Sequence, residues 1–311
     1  MALRKRSKKS STDEGRPRLF CFGMGYSAMA LARRLVARDW QLAGTARSQT
    51  KVAKLKSLGI EAFLLDRGLR LPAGALAGTT HLLVSAPPDE QGDPVIDQAR
   101  DDILGCEGLR WVGYLSTTGV YGNRDGGWVD EESALRPTVE RSRRRVAAER
   151  SWRELHRTAG LPLHIFRLAG IYGPGRNILD NLRQGTAKRI VKPGQFFSRI
   201  HVEDIARVLE ASIDKPNPGR VYNVCDDEPA APSDIVTYGA AILGLEPPPA
   251  IPFDEASLSS MAMSFYRDNR RVANRRIHEE LGVTLAYPNY RAGLEAILAA
   301  DSLDQPLDRI S

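Results

Sequence analysis

The chain has 311 residues, 42% hydrophobic and 26% charged, enough to bury a large core as one domain or as one domain with a smaller companion. No apolar run approaches the roughly 20 residues of a membrane span, which excludes a helical membrane protein. The net charge of +6 sits at one end: MALRKRSKKSSTDEGRPR, residues 1 to 18, holds seven Lys/Arg against two acids and leaves about +1 for the rest, so the body carries no nucleic-acid footprint and the excess reads as a disordered, solvated tail.

Cys21, Cys106 and Cys225 are too few and too scattered for a disulfide framework or a zinc site, and no metal is expected; a reducing cytoplasm fits. The basic start followed by LFCFGMGYSAMALA, residues 19 to 32, mimics a signal peptide. The same residues are better explained as strand, turn and helix. Leu19 to Phe22 is a short apolar strand, and Gly23-Met24-Gly25-Tyr26-Ser27-Ala28 is a G-x-G-x-x-A turn before the helical pattern AMALARRLVARD. Gly23 permits the tight turn, Gly25 lets a pyrophosphate approach the backbone, and Ala28 lets helix and strand pack, with the amides near Tyr26 and Ser27 facing the phosphates.

Further strands are expected at Gln41–Thr45, Ile60–Leu65 and His81–Ser85, the last continuing into Ala86 and Pro87. That spacing is the βα repeat of a parallel sheet with dinucleotide binding at its carboxyl edge. The second strand ends without the acid that would hold the ribose of NAD. Thr45, Arg47 and Ser48 stand there instead, with Lys51 close behind, a set that could hold the 2′-phosphate of NADP. NADP is therefore the expected cofactor, with NAD as the alternative and a merely solvated Arg47 as the plain reading. Trp111–Leu115 and Leu163–Leu168 are two more strands, running into STTGVYG and AGIYGPGRN.

With these pieces the sequence resembles the extended short-chain dehydrogenase/reductases, the group of the NAD-dependent epimerases and dehydratases, from about Leu19 to Tyr290. STTGVYG is similar to the family's Ser/Thr loop, WVDEESALRPT to its approach to the active-site helix, FRLAGIYGPGRN to the loop beside the nicotinamide, where Leu168 and Ala169 fall, and SRIHVEDIA to a segment returning to the sheet. The resemblance implies an α/β fold, a Rossmann-type doubly wound parallel sheet with a small C-terminal α/β substrate lid. The implied division is a tail at 1–18, a Rossmann domain at 19–176 with 200–224 returning to it, a lid from 177–199 and 225–300, and a C-terminal tail at 301–311. Within the lid, residues 226–254 read as a helix between proline-rich connections and Asn269–Tyr290 as a basic helix ending irregularly.

The family's active-site helix carries Tyr-x-x-x-Lys followed four residues later by Glu. Setting the register on Glu149 puts Arg141 at the Tyr position and Arg145 at the Lys position, with Thr117 as the Ser/Thr partner. A guanidinium only donates and does not titrate near neutrality, so it can bind or polarise an oxygen but not relay a proton. The plain alternative is a basic, exposed helix. Tyr121 is the nearest remaining phenol. Phe197 stands where sugar-nucleotide enzymes place a diphosphate-gripping arginine, Arg199 is expected to point elsewhere, and His201 to be structural. The set resembles the atypical, YeeZ-like members. It implies an NAD(P)-binding oxidoreductase or epimerase/dehydratase-like enzyme on a small anionic molecule, without the usual Tyr/Lys relay and with homodimers common among relatives. The competing reading is a non-catalytic NADP(H)-binding redox sensor.

Overall fold

A computed structural model describes residues 15–303, so most of the basic tail and residues 304–311 lie outside the described residues. Seven parallel strands form the central sheet: β1 Arg18–Phe22, β2 Gln41–Ala46, β3 Glu61–Leu64, β4 His81–Val84, β5 Trp111–Thr117, β6 Leu163–Leu168 and β7 Val221–Val224. Their spatial order is β7-β6-β5-β4-β1-β2-β3. Strands buried on both faces need near-continuous apolar sequence, and β1, β4 and β7 are buried along their whole length. The order reverses between β1 and β4, and such a switch point opens a crevice beyond the carboxyl ends of the strands.

Helices cover both faces. α1 (Tyr26–Val36), α2 (Gln49–Ser57) and α6 (Val202–Asp214) pack on one side through Leu31, Leu35, Val52, Leu55, Ile205 and Leu209. On the other, α3 (Pro94–Leu104) and α4 (Glu140–Ala159) press Val95, Ile103, Trp152 and Leu155 onto the strands. A separate apolar core joins α5 (Ile178–Arg183), α7 (Pro232–Ile242) and α10 (Tyr290–Leu303) through Leu179, Ile235, Leu294 and Ile297, beside the crevice.

Several elements depart from the sequence reading. Arg18, counted with the tail, opens β1: it is 6% exposed, and its guanidinium reaches Glu61 at 2.7 Å, Thr79 at 2.9 Å and the carbonyls of Ala75 and Ala77. Its charge is absorbed by those acceptors, so it belongs to the core and not to solvent. Arg199–His201 pairs with Gly170–Tyr172 in a ribbon of its own, and the chain rejoins the sheet through α6 and β7. The basic helix expected from Asn269 is shorter, because Arg271–Val272 pairs with Trp128–Val129 first and only Arg275–Glu279 (α9) is helical. α8 (Ser260–Tyr266) precedes it. At the carboxyl end α10 runs through Leu303, with Asp301 paired to Arg183 at 2.7 Å, so the helix takes in residues assigned to a tail.

Candidate active site

The glycine turn lies between β1 and α1. Gly23 has φ +86°, and a Cβ there would sit 3.1 Å from the Ala86 amide, so both backbone and neighbour demand glycine. Gly25 differs: a Cβ would meet nothing closer than 3.8 Å. The protein itself leaves room above Gly25. α1 starts from Gly25 with no side-chain cap, so its first amides are free to meet an anion, as a pyrophosphate over Gly25 would supply. Ala28 is fully buried and Ser27 nearly so. The Tyr26 hydroxyl donates to the Pro174 carbonyl at 2.9 Å, tying the turn to the loop after β6.

Thr45 is 3% exposed and its Oγ1 accepts the Gly23 amide at 2.9 Å. It braces the turn through one acceptor lone pair and keeps its proton to donate. The Ser48 hydroxyl caps α2 by accepting the Lys51 amide. Arg47 is exposed and makes no ion pair among the described residues. At the end of β4 the Ser85 and Ala86 amides both donate to the Phe22 carbonyl, setting Ser85-Ala86-Pro87 beside the turn.

From there a cavity of about 620 Å³ runs over the ends of β5 and β6. Ser27, Ser85, Pro87, Thr117, Arg141, Arg145, Leu168 and Ala169 all line it. Thr117 Oγ1 accepts the Gly119 amide at 3.1 Å, which leaves its proton to donate. Arg141 sits in the first turn of α4, its guanidinium 4.2 Å from the centre of the Phe265 ring on α8. Arg145 is pinned to the wall, donating to the Tyr114 hydroxyl at 3.0 Å and the Leu115 carbonyl at 2.9 Å.

Tyr121 does not line the cavity. It is fully buried, donates to Asn223 at 2.7 Å and accepts from Arg167 at 2.9 Å, and burial pushes its pKa up to about 12. With its proton committed and its ionised form desolvated, it is a packing residue, and its place as a candidate acid is withdrawn. Glu149 is equally enclosed: Ser116 donates to it at 2.5 Å and Arg167 at 3.2 and 2.9 Å. His201, outside the lining, caps α6 by accepting the Glu203 amide, and burial lowers its pKa to about 4.

Arg199, expected to point elsewhere, lines the cavity together with Phe197. Burial lowers its pKa to about 10 against the opposing charge of Asp226. Arg176 and Arg270 complete a lining of five arginines, and Asp268 is the one carboxylate. Asp268 accepts from Thr138 at 2.5 Å and from Arg270 at 3.2 Å. No Tyr, Lys, His or Cys lines the cavity among the described residues. Arg270 escaped the sequence reading because it was taken into a basic helix from Asn269, and Phe265 and Asp268, just before that helix, were given no element or role; the lone acid between Arg267 and Arg270 was the available signal. No group of potential metal ligands and no helix long and apolar enough to cross a membrane occurs among the described residues.

The profile of the NAD dependent epimerase/dehydratase family matches residues 95–225. Protein YeeZ of Escherichia coli strain K12 is 31% identical over 251 residues, covering 73% of this chain and 84% of YeeZ. A solved structure of a functionally unknown conserved protein from Silicibacter pomeroyi is 51% identical, with a TM-score of 0.84 over 92% of this chain and 99% of that one. UDP-glucuronic acid 4-epimerase from Bacillus cereus, solved with NAD, shares the fold at a TM-score of 0.73 and 16% identity over 93% of this chain and all of that one. By this fold and these relatives the chain belongs to the NAD-dependent epimerase/dehydratase superfamily of extended short-chain dehydrogenase/reductases, in its YeeZ-like subgroup.

Proposed function

We propose that the protein binds NADP(H) and acts as an oxidoreductase or epimerase/dehydratase-like enzyme on a small anionic molecule, without a Tyr/Lys proton relay. The observation that carries this reading is a single cavity, continuous with the glycine turn, lined by five arginines and one aspartate. Such a lining favours an anion by Coulomb attraction strengthened by partial burial. Gly25 and the start of α1 would hold the pyrophosphate, and Arg47 the 2′-phosphate. When bound, the nicotinamide supplies the hydride acceptor or donor. Thr117 would orient a substrate oxygen, and Arg141 would stabilise negative charge developing on it.

The UDP-glucuronic acid of a distant neighbour with 17% identity is not carried over, because Phe197 stands where the resemblance expects the arginine of diphosphate binders. A second reading is a redox sensor without turnover, whose lining among the described residues would hold no Tyr, Lys, His or Cys to relay a proton.

Titration with both cofactors tests the first step: NADPH should bind roughly tenfold to a hundredfold more tightly than NADH, as a charged contact worth about 1.5–3 kcal/mol requires, and Arg47→Asp should reverse the order. Oxidation of bound NADPH by a panel of anionic aldehydes and ketones then separates enzyme from sensor. Turnover that falls in Arg141→Ala with NADPH affinity kept supports the enzyme; tight NADPH binding with no oxidation by any member supports the sensor.

A further inference from the structure

Interconverting an alcohol and a carbonyl leaves a proton at oxygen to be accounted for. The arginines of the cavity cannot take it, since a guanidinium has no acceptor and stays charged. The hydroxyls of Thr117 and Ser116 can pass a proton on but do not keep one at neutral pH. Behind Ser116, Glu149 is sealed at 1% exposure, with three donors on its two oxygens. Asp268 is different in kind. It lines the cavity, and each of its oxygens receives a single donor, Thr138 on one and Arg270 on the other. An ionised carboxylate offers about four lone-pair sites, so acceptor capacity remains.

We infer that Asp268 is a catalytic residue that receives the substrate's hydroxyl proton, and that the substrate is therefore a hydroxy acid, its anionic group on the arginines and its hydroxyl on Asp268. The inference rests on the oxidoreductase reading above. In the oxidising direction the O–H bond breaks and its electron pair becomes the second C–O bond. The proton passes to the Asp268 carboxylate, and the hydride leaves carbon for the oxidised nicotinamide dinucleotide. The return reaction runs each transfer backwards. Asp268 comes from the segment after α8, not from the active-site helix, and its bond to Thr138, just before α4, brings it to the start of that helix. The charge paired with it is Arg270 on its own segment, at 3.2 Å, and Arg141, Arg145, Arg176 and Arg199 line the same cavity.

The test uses the full chain with NADP+ and two simple probes, glycerate and propionate, which share a carboxylate and differ in hydroxyls. The wild type should bind glycerate about tenfold more tightly than propionate. Asp268→Ala should cut that ratio several-fold, what remains being the Thr117 contact, while propionate affinity holds or rises because a negative charge has gone. A ratio near one in the wild type, or a preference undiminished in Asp268→Ala, overturns the assignment. If propionate does not bind the wild type at all, the anion-site reading itself fails. Asp268→Asn, which keeps the shape and a bond from Thr138, guards against loss of the fold. On any hydroxy acid the wild type oxidises, it should be slower by about a hundredfold or more at unchanged NADP+ affinity. Full rate in Asp268→Asn overturns the proton role, whereas no hydroxy acid oxidised by the wild type overturns the oxidoreductase reading.

Discussion

Behind the cavity wall, Arg167 and Glu149 form an ion pair whose side chains are 2% and 1% exposed. Replacing Arg167 by Met removes two of the three donors to Glu149 and leaves a buried carboxylate with Ser116 alone. Breaking one side of such a pair costs about 3–5 kcal/mol, a large part of the roughly 5–15 kcal/mol that holds a domain folded. Burial opposes the charge on Arg167, but the Glu149 carboxylate outweighs it and raises the guanidinium's pKa above its ordinary value. Removing both charges at once, as Arg167→Met with Glu149→Leu, should therefore recover most of the loss, to within about 1–2 kcal/mol of the wild type. Guanidinium unfolding followed by tryptophan emission reads this directly, since Trp111 and Trp152 are fully buried. A single variant costing less than about 1 kcal/mol, or a double variant costing the sum of the singles, would refute the argument.

The two glycines of the turn should separate fold from ligand. Gly23→Ala forces a side chain at φ +86° against Ala86 and should cost about 1–3 kcal/mol of stability, whereas Gly25→Ala should leave the melting temperature unchanged and weaken dinucleotide binding at least about tenfold; equal stability losses would end the distinction. The third prediction is acid lability from His164, which is buried and whose pKa burial lowers from 6.5 to about 4. Between those values the unfolded chain binds the proton and the folded one does not, so stability falls as pH drops from about 6.5 to about 4, by on the order of 3 kcal/mol for this group. His164→Gln should flatten that slope by one proton, measured as unfolding free energy against pH, and an unchanged slope would show that the ring is solvated.

How much of this was legible in the sequence depended on whether the signal was local. β6 was read to its last residue, because LHIFRL is a short apolar run interrupted only by His164 and Arg167, and the partners that bury those two are distant in sequence. The glycine turn was legible because its motif falls within six consecutive residues, although Ala86 and Thr45, which constrain Gly23, are distant in sequence. The bracing role of Thr45 was not legible because the Gly23 amide that its hydroxyl accepts lies 22 positions away, and only the fold brings the two together. Asp268 had only a weak local signal, a lone acid among arginines, because what brings it to the active-site helix is Thr138, 130 positions earlier. The same logic weighs Arg141 against Arg145. Both lie on one face of α4, and register alone makes them equivalent. The structure commits Arg145 to Tyr114 and Leu115 in β5, while Arg141 rests on Phe265 with its donors unassigned. A guanidinium stacked on a ring keeps its edge donors available. Of the two, Arg141 can therefore turn to a substrate without breaking a hydrogen bond, and Arg145 cannot.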